Sequence, residues 1–207
     1  EEAERIVGEA PSTLRLMLPE MYLDKPGEAE RIAAINATMD RYMADGTLES
    51  RGEGFVFVRR TVDGKTRSGL VVALDLEQYD YSRGSETLIR ASEGTIVERI
   101  PPRLRIRKDA ALELPHILVL IDDPQHTVIE PLADAATAGN RLYNFELMLG
   151  GGRIEGYMVR DAGRIQGVLR ALEALADPTR FAEQYGADKK PMLFAMGDGN
   201  HSFATCL

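Results

Sequence analysis

A chain of 207 residues, 44% hydrophobic and 28% charged, reads as a soluble globular protein able to bury a core of its own. Its net charge of -8 argues against nucleic-acid binding through a broad basic face. The lone Cys206 excludes a disulfide within the chain, and no apolar run approaches the ~18 residues a membrane span needs.

The expected setting is cytoplasmic, with a small-molecule or phosphate-bearing ligand as partner and neither nucleic acid nor membrane. Residue 1 is Glu rather than Met, and Leu207 falls a few residues into an expected helix. The chain is therefore read as a single domain over 1–207, cut at its C-terminal edge, with the N-terminal edge also suspect.

In chain order, the first clear element is an amphipathic helix over 28–45. Its apolar residues Ile32, Ile35, Met39, Tyr42 and Met43 recur at spacings of three and four, and Gly46 follows as a C-terminal stop. A hairpin comes next: the run Phe55-Val56-Phe57-Val58, the turn pair Asp63-Gly64, and a return over 69–74. Residues 77–108 form a long, polar, irregular stretch, and a loop of that length inside a compact domain points to function. Within it Arg99, Arg103, Arg105, Arg107 and Lys108 crowd together, either as a solvated edge or as a lining for an anionic ligand.

Residues 117–121 read as a buried strand ended by Asp122-Asp123-Pro124. A second hairpin runs over 143–149 and 154–159, with Gly150-Gly151-Gly152 as a flexible turn rather than a phosphate loop. A helix over 164–176 stops at Asp177-Pro178, a shorter one covers 180–185, and Met192 to Met196 form the last strand. Hairpins and scattered helices without regular alternation give an α+β fold: a mixed, largely antiparallel sheet with two hairpins and flanking helices.

The strongest site candidate is Gly197-Asp198-Gly199-Asn200-His201-Ser202, coming straight off that last strand. Glycines permit a tight turn and close approach of a ligand, and Asn200 or Ser202 is placed to cap a following helix. The first amides of a helix point outward without partners, so a phosphate is the natural guest. Asp198 can hold Mg²⁺ or accept a proton, and His201 can donate to a phosphate oxygen or transfer a proton. A metal-dependent hydrolase using His116, His126 and His201 is disfavoured, because no pair has the i, i+4 spacing of a helical zinc site. His116 reads as partly buried, His126 as exposed, and Cys206 as buried or inert.

Several segments together resemble a known family. These are Met43-Ala44-Asp45-Gly46-Thr47-Leu48, Arg67-Ser68-Gly69-Leu70, Tyr79-Asp80-Tyr81-Ser82-Arg83-Gly84, Ile89-Arg90-Ala91-Ser92-Glu93-Gly94-Thr95 and the 197–202 motif. From about residue 28 to the end, the chain resembles the bacterial and archaeal domain-of-unknown-function family numbered 1015. The commoner family pattern has His-Glu where this chain has Ser92-Glu93, and Asp-Gly-His-His-Arg where it has Asp198-Gly199-Asn200-His201-Ser202. Glu93, Thr95, Asp198, Gly199 and His201 carry over; the terminal arginine does not, so Arg99 or Arg103 has to supply its charge.

The turn is also similar, more weakly, to the phosphate-binding turn of the ParB and sulfiredoxin superfamily, which includes free serine kinases. That likeness implies a nucleotide-dependent phosphotransferase acting on a small hydroxylated metabolite, with ATP or another nucleotide and Mg²⁺ as cofactors. Glu93, Asp198 and His201 are then the catalytic group, with Asp198 the metal ligand. Gly197, Gly199, Asn200, Ser202, Arg99 and Arg103 are expected to bind the nucleotide. A regulatory module that binds nucleotide or metabolite without catalysis is the alternative.

Overall fold

The computed structural model describes residues 2–114 and 116–207. Its elements in order are α1 (Glu2–Val7), α2 (Glu28–Ala44), β1 (Phe55–Val62), β2 (Lys65–Val71), β3 (Tyr79–Asp80), β4 (Ile89–Ala91) and α3 (Ile100–Arg107). Then come β5 (Leu118–Leu120), β6 (Arg141–Glu146), β7 (Arg153–Val159), α4 (Ala162–Leu175), α5 (Pro178–Tyr185), β8 (Phe194–Asp198) and α6 (Asn200–Thr205). The fold is α+β, as expected. One four-stranded sheet has the order β2-β1-β7-β6, and its pairings are antiparallel. The other has the order β3-β4-β8-β5, with β3/β4 and β4/β8 parallel.

The chain divides into two compact units. The larger comprises Gly52–Ser92 and Val119–Met196. Its first hairpin closes where Val62 pairs with Lys65, so Asp63-Gly64 is a two-residue turn. Both turn residues have positive φ, 49° and 73°, the type I′ geometry whose twist matches that of the strands. The return strand therefore starts at Lys65, four residues earlier than its apolar run suggested. Alternation along β1 and β7 puts Phe57 opposite Tyr157 and Phe55 opposite Val159. That face packs on the 3-10 turn Glu130–Ala135 and on α4, burying Phe57, Leu132, Ala135, Tyr157, Val159 and Val168 in one core.

The second hairpin is present, and its triple glycine serves packing more than flexibility. A Cβ on Gly152 would lie 2.1 Å from the Thr61 carbonyl oxygen. Asp161 and Asp177 cap α4 and α5 by accepting from the amides of Arg164 and Arg180. The expected buried strand at 117–121 is shorter and half exposed, for β5 lies at a sheet edge and Leu120 is 51% accessible.

The smaller unit takes in the chain up to Arg51 together with Glu93–Leu118 and Gly197–Leu207. Leu16, Ile35, Met39 and Tyr42 form its buried core, so α2 uses the expected stripe except for Met43, which faces solvent. Asp45 is the α2 C-cap, and Gly46 comes next at φ 79°. The 77–108 stretch is less irregular than its composition indicated, because α3 occupies its last quarter. Pro101 and Pro102 sit in the first turn of α3, where a missing amide costs nothing and the fixed φ suits a helix; Arg105 and Arg107 lie in the last turn. Arg105 binds back to α2 and its approach, 2.7 Å from Glu28 and 2.7 Å from Asp24. No described helix is long and apolar enough to cross a membrane.

Candidate functional site

Two loops meet the site requirements because their strands are paired. Ala91 of β4 is the register partner of Met196 of β8, and both strands run in the same direction. Glu93 and Asp198 thus each stand two residues beyond a paired position. Carboxyl ends of parallel strands are the usual place for ligand-binding residues in sheets of this kind. The Ser92 hydroxyl donates to the Met196 carbonyl, tying the two ends together, and Met196 is fully buried.

The strand at the motif is longer than the sequence suggested. β8 continues through Gly197 and Asp198, so the turn is made at Gly199 alone, with φ 82°. Gly199 is required twice over: by that backbone angle and by close approach of the chain, since a Cβ there would lie 2.7 Å from the His116 carbonyl oxygen. Gly199 is also the helix N-cap. Asn200 and Ser202, expected as caps, are inside α6, and no side chain caps it. The first hydrogen bond of α6 runs from Phe203 to Gly199, leaving the amides of Asn200, His201 and Ser202 without an intrahelical acceptor. Asp198 folds back so that its Oδ1 accepts from the Gly199 amide at 2.7 Å.

His201 is the centre of the electrostatics. Its Nε2 accepts from the Ile96 amide at 3.0 Å, which assigns the ring proton to Nδ1. Burial, joined by the positive charges of Arg99 and Arg103, holds its pKa below the ordinary histidine value, and the negative charge of Glu93 pulls the other way. His201 is therefore a neutral imidazole with one donor, Nδ1–H, left to offer. Asn200 is buried, and its Nδ2 makes a long 3.5 Å contact with the Thr95 hydroxyl.

The arginines come from one face of the segment leading through α3, at positions 99, 103 and 107, four apart. Arg103 donates to the Arg99 carbonyl oxygen at 2.8 Å. Neither Arg99 nor Arg103 is paired with a carboxylate among the described residues. Arg107 is committed: its guanidinium lies 2.6 Å from Glu113 and donates at 2.8 Å to the Ser202 carbonyl oxygen and at 2.8 Å to the Cys206 sulfur. Cys206, read from sequence as buried or inert, is exposed.

The fold thus places Glu93, Thr95, Arg99, Arg103, Asn200 and His201 in one unit, where His201 responds to the charges of Arg99, Arg103 and Glu93 and Asn200 approaches Thr95. Among the described residues no three His, Cys, Asp or Glu side chains gather to hold a metal. His116 is exposed rather than partly buried, and His126, exposed as expected, hydrogen-bonds Glu130.

A profile of the family described as "Protein of unknown function (DUF1015)" matches residues 1–207. The chain belongs to this family. The match takes in the first 27 residues, beyond the reach of the motif resemblance. Neither the curated proteins nor the solved structures contain a match to this DUF1015 chain.

Two contributors to the site of this DUF1015 protein are not apparent from sequence. The backbone amide of Ile96 orients His201, and a backbone donor leaves no trace in side-chain identity. Arg107 secures α6 from α3, contacts reflected in the packing of these two helices. The four-residue spacing of positions 99, 103 and 107 is the available signal, and it has meaning only once the segment is known to be a helix rather than an edge.

Proposed function

We propose that this chain binds a nucleoside triphosphate at the Gly197–Ser202 segment and transfers a phosphoryl group to a small hydroxylated metabolite, in the manner of a free serine kinase. Phosphoryl transfer asks a protein for positioning and charge neutralisation more than for covalent chemistry. The observation that carries the reading is that His201, in the first turn of the helix that leaves β8 and oriented by the Ile96 amide, shares one compact unit with Glu93 and with Arg99 and Arg103, which have no carboxylate partner among the described residues. Among the described residues, two cations without carboxylate partners, a neutral imidazole N–H and three helix amides without an intrahelical acceptor offer complementary chemistry to phosphate oxygens.

Asp198 is a single carboxylate, with one oxygen taken by the Gly199 amide. That fits Mg²⁺ only as a shared ligand, since Mg²⁺ is commonly held by one or two carboxylates together with substrate phosphates. The ion supplies charge neutralisation on the phosphates when bound. Glu93 is exposed and receives the proton of the acceptor hydroxyl. Arg99 and Arg103 take the charge-stabilising role that an arginine at position 202 has in the commoner pattern.

A second reading, a binding module without turnover, draws on one observation: Asp198 Oδ1 and His201 Nε2 are both spent on backbone amides. Glu93→Gln separates the two. Under the kinase reading, ATP consumption measured with Mg²⁺ and a panel of small hydroxylated acceptors falls at least ~100-fold, in line with the loss of a general base, while nucleotide affinity holds. Nucleotide binding by the unmodified protein with no turnover to lose establishes the module; absence of any binding to nucleoside triphosphate removes both.

A further inference from the structure

The smaller unit holds a cavity of about 250 Å³, and of its lining the phosphoryl-transfer reading uses only Arg103 and Ser202. Leu16, Ile35 and Met39, three members of that unit's core, line it from one side, and Ile106 of α3 and Leu112 line it as well. A dry apolar cavity of about 150 Å³ suffices for benzene, so this one has room for about ten non-hydrogen atoms. An apolar pocket with a few convergent polar groups is the usual form of a small-molecule site.

Those polar groups define the ligand's other end. Arg107 is already neutralised by Glu113, which also lines the cavity. Arg103 is different: its guanidinium reaches only the Arg99 carbonyl oxygen, with no carboxylate partner among the described residues. Ser202 of α6 completes this end. Glu20 is the other charged lining group; it is exposed, and an amine would seek it.

We propose that the cavity is a binding site for a small amphiphilic carboxylate, its apolar tail of up to about eight carbons seated among the core side chains and its head on Arg103. The site stands independently of the nucleotide reading, although both use Arg103 and Ser202.

Calorimetric titration of the full chain, without nucleotide, tests it with acetate, butanoate, hexanoate, octanoate and decanoate, and with hexylamine and hexanol as charge controls. Affinity is expected to rise about fourfold per methylene through octanoate, the equivalent of ~0.8 kcal/mol per buried CH₂, and to stop rising at decanoate. Hexylamine should bind at least ~10-fold more weakly than hexanoate, since the Arg103 end repels an ammonium and Glu20, being exposed, offers it only a water-screened partner. Ala110→Leu, which fills part of the lining, should weaken octanoate and spare butanoate. Leu114→Phe, at the exposed side of the lining, makes the same test should Ala110→Leu fail to fold. Arg103→Met should remove the preference for hexanoate over hexanol. A flat chain-length series, equal binding of amine and carboxylate, or an octanoate affinity indifferent to both filling variants overturns the proposal. Because none of these probes contains phosphate, their failure says nothing against nucleotide binding, and failed nucleotide binding leaves their titration intact.

Discussion

The antiparallel sheet and the parallel β4/β8 pair solve different problems. In the antiparallel sheet, a two-residue turn joins β1 to β2 and a short hairpin loop joins β6 to β7, the central β1/β7 pair is long-range, setting Phe57 opposite Tyr157, and one face is filled by Phe57, Tyr157 and Val159. At the carboxyl ends of β4 and β8, the joined residues are far apart in sequence, 104 positions for Ser92 and Met196. Polar side chains stand at and beyond those ends: Asp198 closes β8, His201 follows it, and Glu93, Thr95 and Arg99 follow β4. An antiparallel face packed into a buried core makes a scaffold that tolerates little change inside it. Long-range parallel pairing brings together groups whose value lies in what they present to a ligand.

The contrast should be largest in a direct exchange of stability for binding. Phe57 is 1% accessible, and Phe57→Ala is expected to cost ~3–5 kcal/mol from lost burial and the cavity left behind. Arg103→Met keeps the stem and removes a charge that has no carboxylate partner, so its cost should stay below ~1 kcal/mol. Urea unfolding followed by circular dichroism measures both. Comparable losses for the two variants would mean that α3 is as much scaffold as the sheet, and the division between scaffold and ligand-facing groups would fail.

Legibility in the sequence divides between local pairing and long-range pairing, β1/β7 being as long-range as β4/β8. The Asp63-Gly64 turn and both hairpins are readable because each is fixed by residues within a few positions of one another. The caps Asp161 and Asp177 are local too. α3 is hidden because the Pro101-Pro102 pair reads as a breaker, whereas at the first turn of a helix it is an initiator. The parallel neighbours of β4 are unreadable, since three residues carry no periodicity and nothing local specifies a partner about a hundred positions away. Motif and resemblance name the site residues; only the structure puts Glu93 and the arginines within the field of His201.

Glycine substitutions sharpen the comparison at a smaller scale. Gly64 and Gly199 both have positive φ, 73° and 82°, so both are strained by a side chain. At Gly64 a Cβ would meet nothing within 4 Å, and Gly64→Ala should cost only the backbone strain, ~1–2 kcal/mol. At Gly199 the Cβ would press on the His116 carbonyl oxygen and the Ile117 backbone, neither the far end of a flexible side chain. Gly199→Ala should accordingly cost ~2–4 kcal/mol, strain plus displacement of packed chain. The difference between the two denaturation midpoints is the measurement. Equal costs would mean that the 116–117 chain yields freely, and that Gly199 is needed for its backbone angle alone.

The smallest effect lies in the pH dependence of stability, where the His201 environment makes a signed prediction. The native protein disfavours the imidazolium through burial and through Arg99 and Arg103, so the folded pKa lies below the ordinary value of 6.5. In the unfolded chain those influences are lost. Between the two pKa values the unfolded state binds more protons, and stability rises with pH wherever that holds. His201 thus makes its full contribution above pH 6.5, and that contribution declines as pH falls toward and through the folded value. His201→Gln keeps an acceptor for the Ile96 amide but has no proton to gain, so it should flatten stability across this window while leaving stability at neutral pH nearly unchanged. Glu93→Gln should act in the opposite sense on the same slope: without the carboxylate that favours the imidazolium, the folded pKa drops further and the acid loss deepens. If Glu93→Gln leaves the slope untouched, Glu93 does not share the electrostatic environment of His201, and the case for a common site at the ends of β4 and β8 falls with it.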